Sequence, residues 1–147
     1  MASMKAKKGN PFERLVAYNL MLLGFDVNRI DDNTKGIDLI ANSLKTGLFI
    51  IECKFHKSFS WNEIEKIFMK TCHTAKESFP LKSHMPIFIF KCNQQPILVM
   101  YRDIIHHKLH ICTFHTFFNM KEDEKIQQIP KGFKIWKEIG KRKDNET

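Results

Sequence analysis

Apolar positions change their period several times along this chain, and each change marks an element. In "NPFERLVAYNLMLLGF", residues Phe12, Leu15, Val16, Tyr18, Leu20, Met21, Leu22 and Leu23 recur at helical spacing but are too many for one stripe. A helix packed on more than one side follows. Asn10 suits its N-cap, Pro11 its first helical position and Gly24 its end. "FDVNRI" reads as a short strand and "DDNTKG" as a polar turn. Two strands follow, roughly 36–42 and 48–55, joined by "SLKTG". "SWNEIEKIFMKTCHTAKESF" returns to helical spacing through Trp61, Ile64, Phe68, Cys72, Ala75 and Phe79, with Ser60 and Glu63 as a capping box and Pro80 as the stop. "MPIFIFKC" and "PILVMYR", separated by "NQQ", are two more strands, and "KLHICTF" a further short one. "TFHTFFNMKEDEKIQQI" reads as helical. The order α-β-β-β-α-β-β predicts an α/β fold, a sheet sandwiched by helices.

The two strands around "SLKTG" break their own apolar pattern with Asp38, Glu52 and Lys54. A hairpin symmetric about Lys45 sets Asp38 directly opposite Glu52. It also gathers Ile37, Leu39, Ala41, Phe49, Ile51, Cys53 and Phe55 on one wholly apolar face. Asp38, Glu52 and Lys54 then share the other face, which His56 extends. A shift by one residue would put Glu52 among the core residues, so hydrophobic pattern selects the first register. Two opposed carboxylates repel, and burial raises the penalty. A divalent cation between them removes the conflict, because hard oxygen ligands suit Mg²⁺ or Mn²⁺. The alternative is an exposed edge with Glu52 and Lys54 as a surface ion pair. The apolar flanks "GIDLIA" and "LFII" argue for the interior, where charges need partners.

Composition narrows the function classes. A chain of 147 residues with 43% apolar and 27% charged residues reads as one domain, 1–147, with a core at about 9–119. A basic arm at 1–9 and a basic tail at about 130–147 flank that core. No apolar run is long enough to span a bilayer, and the start lacks the pattern of a signal peptide. Cys53, Cys72, Cys92 and Cys112 are spread through apolar segments without a zinc-type clip, as expected of reduced cysteines in a cytoplasmic protein. The net charge of +8 favours a polyanion as partner. It is concentrated in Lys5, Lys7 and Lys8 and in Lys131, Lys134, Lys137, Lys141, Arg142 and Lys143. A metal-binding carboxylate pair, a neighbouring ammonium and a basic surface together point to phosphodiester hydrolysis. Glu13, three residues after Asn10, is explained as well by helix capping as by a functional role. His56 faces either phosphate or solvent.

Asp38, then Glu52-Cys53-Lys54, behind a helix bearing Glu13 and ahead of the helix at 60–79, resembles the signature of the PD-(D/E)XK nuclease superfamily. "KGNPFERLVAYNLMLLGFDV", "GIDLIA" and "IIECK" are similar, more closely, to the archaeal-type Holliday junction resolvases, over about residues 7–102. The resemblance implies a restriction-endonuclease-like fold, a mixed five-stranded central β-sheet flanked by helices, with a Mg²⁺ site that accepts Mn²⁺. It implies Asp38, Glu52 and the Cys53 backbone carbonyl as metal ligands, and Glu13, Asp38, Glu52 and Lys54 as the catalytic set. Lys5, Lys7, Lys8, Arg14, Thr34, Lys35, His56 and Lys57 fall where DNA contacts are expected. Gly36-Ile37 stands before Asp38 where the superfamily name has proline, and residues after 102 match nothing in the pattern. The function implied is a metal-dependent, structure-selective DNA endonuclease of recombination and repair, a Holliday junction resolvase working as a homodimer. The alternatives are a restriction-type or mobile-element endonuclease of the same fold, a non-catalytic DNA-binding module, and a structural α/β domain.

Overall fold

A computed structural model describes residues 2–30 and 36–136, with side chains from residue 11 onward. The first helix, α1, spans Ala2–Leu22. It does not start at Asn10, and Pro11 lies inside it, where the ring can donate no hydrogen bond to the preceding turn. Its end is as expected: Gly24 adopts a φ of 97°, and the amides of Gly24 and Phe25 bond back to Met21 and Leu20. Strands β1 (Asp26–Arg29), β2 (Leu39–Ser43) and β3 (Gly47–Phe55) follow, then helix α2 (Trp61–Ser78). Strands β4 (Met85–Lys91), β5 (Leu98–Arg102) and β6 (Leu109–Thr113) lead into a one-turn helix, α3 (Phe114–Phe117).

The strands form one mixed sheet in the order β1-β2-β3-β4-β5-β6. Every neighbouring pair is antiparallel except β3 with β4, which run parallel. A parallel pair needs a crossover, and α2 supplies it. The expected α/β class is therefore observed, and the "KLHICTF" segment adds a sixth strand to the five implied. The Ser60–Glu63 capping box at the start of α2 is formed in both directions, at 2.9 and 3.2 Å. The helix expected across "TFHTFFNMKEDEKIQQI" shrinks to α3, because Asn119 turns left-handed at a φ of 57° and the chain leaves the helix there.

Each face of the sheet is covered. On one side Phe12, Val16, Ala17 and Leu20 of α1 pack on Leu39, Ala41, Ile51, Ile87 and Val99. On the other, Ile64, Phe68 and Ala75 of α2 meet Phe88, Phe90, Ile50 and Ile37. The hairpin register is the one hydrophobic pattern selects, with Leu39 opposite Ile51 and Ala41 opposite Phe49. Ile37 is the exception. It lies under α2 rather than on the α1 face. All four cysteines are free. No helix among the described residues is long and apolar enough to cross a membrane.

The segment after α3 returns to α1, and its Ile126, Ile135 and Trp136 pack against the core. Buried Asn19 holds it there. Its side-chain amide donates to the Gln127 carbonyl at 3.0 Å, and its carbonyl oxygen accepts from the Gln127 amide at 2.8 Å. Asn19→Ala leaves two backbone groups without these partners, so it should cost about 2–3 kcal/mol. Urea unfolding should show a lower midpoint at an unchanged m-value.

Candidate metal and catalytic site

The site is built where the β2–β3 ladder stops. The Asp38 amide donates to the Ile51 carbonyl at 2.7 Å, although the register partner of Ile51 is Leu39. Two successive residues thus face one, the pattern of a β-bulge, which re-aims the side chains beside it. Sequence reasoning set Asp38 squarely opposite Glu52. The bulge instead sets it level with Ile51 and turns Ile37 to the α2 face, where it packs with Ile50 and Ala75. On the other side, the Ile30 amide donates to the Asp38 carbonyl at 2.9 Å. In a continued ladder Cys53 would pair with Ile37. Its amide instead donates to Asp38 Oδ2 at 2.8 Å, so a side-chain carboxylate replaces the backbone acceptor. One β residue points its N–H and C=O to the same neighbour, so the Cys53 carbonyl is also turned towards this strand end.

Asp38 and Glu52 still meet. Glu52 is 7% exposed and hydrogen-bonds to the Asp38 carboxylate. Burial, the hydrogen bond to Asp38 and the charge of Asp38 push the Glu52 carboxyl from 4.5 up to about 9, with Lys54 opposing and Glu13 adding to the rise. Glu52 therefore gives up its proton far less readily than an ordinary glutamic acid. Lys54 Nζ lies 3.9 Å from Glu52 Oε2, with its side chain 42% exposed. Burial also raises the Cys53 thiol, which keeps it neutral and non-nucleophilic.

Glu13 comes from α1, is buried, and lies near enough for its charge to act on Glu52 and Cys53. Because α1 runs from Ala2, Glu13 is well inside the helix and capping no longer accounts for it. Glu13, Asp38, Glu52, Cys53 and Lys54 are thus brought together. Arg14, the next residue on α1, is half-buried and turned away into a neighbouring groove. His56 is exposed and stacks on Phe59 with ring centroids 4.5 Å apart, and Lys57 is exposed beside it. Thr34 and Lys35 lie outside the described residues, as do the side chains of Lys5, Lys7 and Lys8 and the tail from residue 137. Lys91 was missed by sequence reasoning. It is level with Phe55 in the parallel register, and its Nζ stands 5.3 Å from the centre of that ring.

Among the described residues, no three His, Cys, Asp or Glu side chains are arranged to hold a metal ion. The donors present are two carboxylates in contact and one backbone carbonyl. That set fits Mg²⁺, which commonly takes one or two carboxylates and fills its remaining positions with water and substrate oxygens.

The raised carboxyl has a sign-definite consequence. The unfolded chain releases the Glu52 proton above about pH 4.5 and the folded chain only near 9. Between those values the fold binds more protons, so this group lowers stability as pH rises. Glu52→Gln, which keeps a donor for Asp38 and cannot ionise, should raise stability at pH 8 by roughly 2–5 kcal/mol. The gain should vanish near pH 4.5 in a pH series of thermal melts.

No protein-family model matches the chain, and no curated protein sequence does. A solved structure similar to it is that of Archaeoglobus fulgidus Hjc, a Holliday junction resolvase from an archaeal hyperthermophile. The identity is 20% and the TM-score 0.46, over 90% of this chain and 96% of that one.

Proposed function

We propose that the chain is a metal-dependent DNA endonuclease of the restriction-endonuclease-like class, and specifically a Holliday junction resolvase. The observation that carries the hydrolytic reading is the buried contact between Asp38 and Glu52 with Lys54 beside it. A fold without use for that contact would replace either carboxylate by a neutral residue and gain stability. The net charge of +8 favours a polyanionic substrate.

Each residue has a defined task. Asp38, fixed by the Cys53 amide, keeps its other oxygen free of that bond and directs it to the ligand. Glu52, on releasing its proton to solvent, would complete the carboxylate pair, and the Cys53 carbonyl would be the third protein oxygen. Mg²⁺ held by these oxygens would supply charge neutralisation at the phosphate and a lower pKa for the attacking water. Lys54, half-exposed at the rim, meets the phosphate and stabilises the charge that develops on it. Glu13 adds negative potential behind the pair and strengthens its preference for a divalent cation. Lys5, Lys7, Lys8, Arg14, Thr34, Lys35, His56 and Lys57 hold the DNA backbone, so binding is salt-dependent and nearly sequence-independent. A homodimer presents two equivalent sites to the two strands of a junction.

The test compares a labelled four-way junction with a linear duplex of the same sequence, in Mg²⁺ or EDTA. The native protein should make paired, symmetric cuts in the junction in Mg²⁺ alone. Asp38→Asn should cut at least about a hundredfold more slowly, the scale for removing one electrostatic group from such a site. Equal cutting of both substrates would keep the endonuclease and remove the junction specificity. Binding without cutting in either Mg²⁺ or Mn²⁺ would leave a DNA-binding module.

A further inference from the structure

The end of β3 carries Lys54 towards the carboxylates and Phe55 towards the opposite face of the sheet. In α1, Phe12 and Arg14 likewise flank Glu13. Beyond this edge lies a groove of about 590 Å³, bounded by α1, the ends of β3 and β4, and residues 128–133. That volume lies within the ~300–1,000 Å³ of pockets that take small organic groups.

The lining combines two chemistries. Phe12, Phe55 and Phe133 are aromatic, Arg14, Lys91 and Lys131 are cationic, and none of the lining residues is acidic. Phe55 and Phe133 are 43% and 44% exposed, which is unusual for large apolar rings. Each is held by an edge-on neighbour, Phe55 by Phe12 at 5.7 Å and Phe133 by Tyr18 at 5.4 Å. The Lys91 ammonium is fixed by the carbonyls of Gln95 at 2.7 Å and Cys92 at 3.3 Å, which leaves a donor for an anion. An apolar ligand has no need of three cations, and a bare anion has none of exposed rings. A flat π-system joined to a phosphate uses both.

We infer that this groove seats an unpaired nucleotide of the DNA engaged by the carboxylate site, its base on Phe133 and its phosphate among Arg14, Lys91 and Lys131. The choice of DNA rests on the nuclease reading. The nucleotide is unpaired because stacking on a protein ring requires a base face that a duplex hides. Lys54 and Phe55 are consecutive, so a strand passing Lys54 reaches the groove within its next few nucleotides.

The test uses a duplex with a short single-stranded arm carrying 2-aminopurine, and a blunt duplex carrying it internally, both in EDTA. The armed duplex should bind more tightly, with its fluorescence quenched on binding. Phe133→Leu should weaken that binding about tenfold, within the range for losing one base–aromatic stack, and reduce the preference over the blunt duplex. Lys131→Glu, at an exposed position, should weaken it as well and lower the salt dependence by about one ion. Circular dichroism melts check that each variant is folded. Equal binding of the two duplexes by the native protein would overturn the inference, as would unweakened arm binding by folded Phe133→Leu or, should that variant not fold, by Lys131→Glu. Cleavage in Mg²⁺, run alongside, separates the two readings. Cutting without ring-dependent arm binding would remove the groove and keep the nuclease. Ring-dependent arm binding without cutting would do the reverse.

Discussion

The Cys53 amide donates to the carboxylate of Asp38 rather than to a backbone carbonyl, and the end of the β2–β3 ladder is arranged around that exchange. A buried amide must find an acceptor. Here the acceptor carries charge, so satisfying the backbone also fixes an anion at the edge of the core. Glu52 is then held against it by β3, whose neighbours on both sides are paired strands. The fold therefore concentrates negative charge where water is scarce. Burial and Asp38 raise the Glu52 carboxyl, and the Lys54 ammonium at the rim opposes that rise.

The hairpin was legible because its signal is local. Leu39, Ala41, Phe49, Ile51 and Cys53 alternate with positions on the other face of the sheet, and only one register keeps them together. The Ser60–Glu63 box was legible for the same reason. The bulge at Asp38 was not, because its causes lie elsewhere in the chain: the Ile30 amide takes the Asp38 carbonyl, and Ala75 of α2 makes the place for Ile37. The short α3 was masked by an apolar pattern that continues past Asn119, where the backbone turns left-handed and the aromatic rings pack on the sheet individually. Long-range placement decided these points, and periodicity does not report it.

The same distinction applies to chemistry. Asp38, Glu52 and Lys54 stood out because charged residues interrupt an apolar strand. Lys91, Phe55 and Phe133 gave no such signal, since a lysine at a strand end and a phenylalanine in a loop are common. Their significance comes from the return of residues 128–133 over α1, held by the two hydrogen bonds between Asn19 and Gln127. A neutral amide one turn along α1 from Leu15 thereby shapes a surface that faces solvent.

The single parallel pair divides the sheet into two meanders, β1-β2-β3 and β4-β5-β6, each joined by neighbouring segments. Local meanders assemble quickly, whereas a parallel seam waits for loop closure across α2. Asp38 and Glu52 both belong to the first meander, so their contact is made between neighbouring segments of one half of the sheet. The seam sets Phe88 of the second meander beside Glu52, which is buried there. Burial, the largest cause of the raised Glu52 carboxyl, is therefore completed across the seam, so a charge on that group and the joining of the two halves oppose one another.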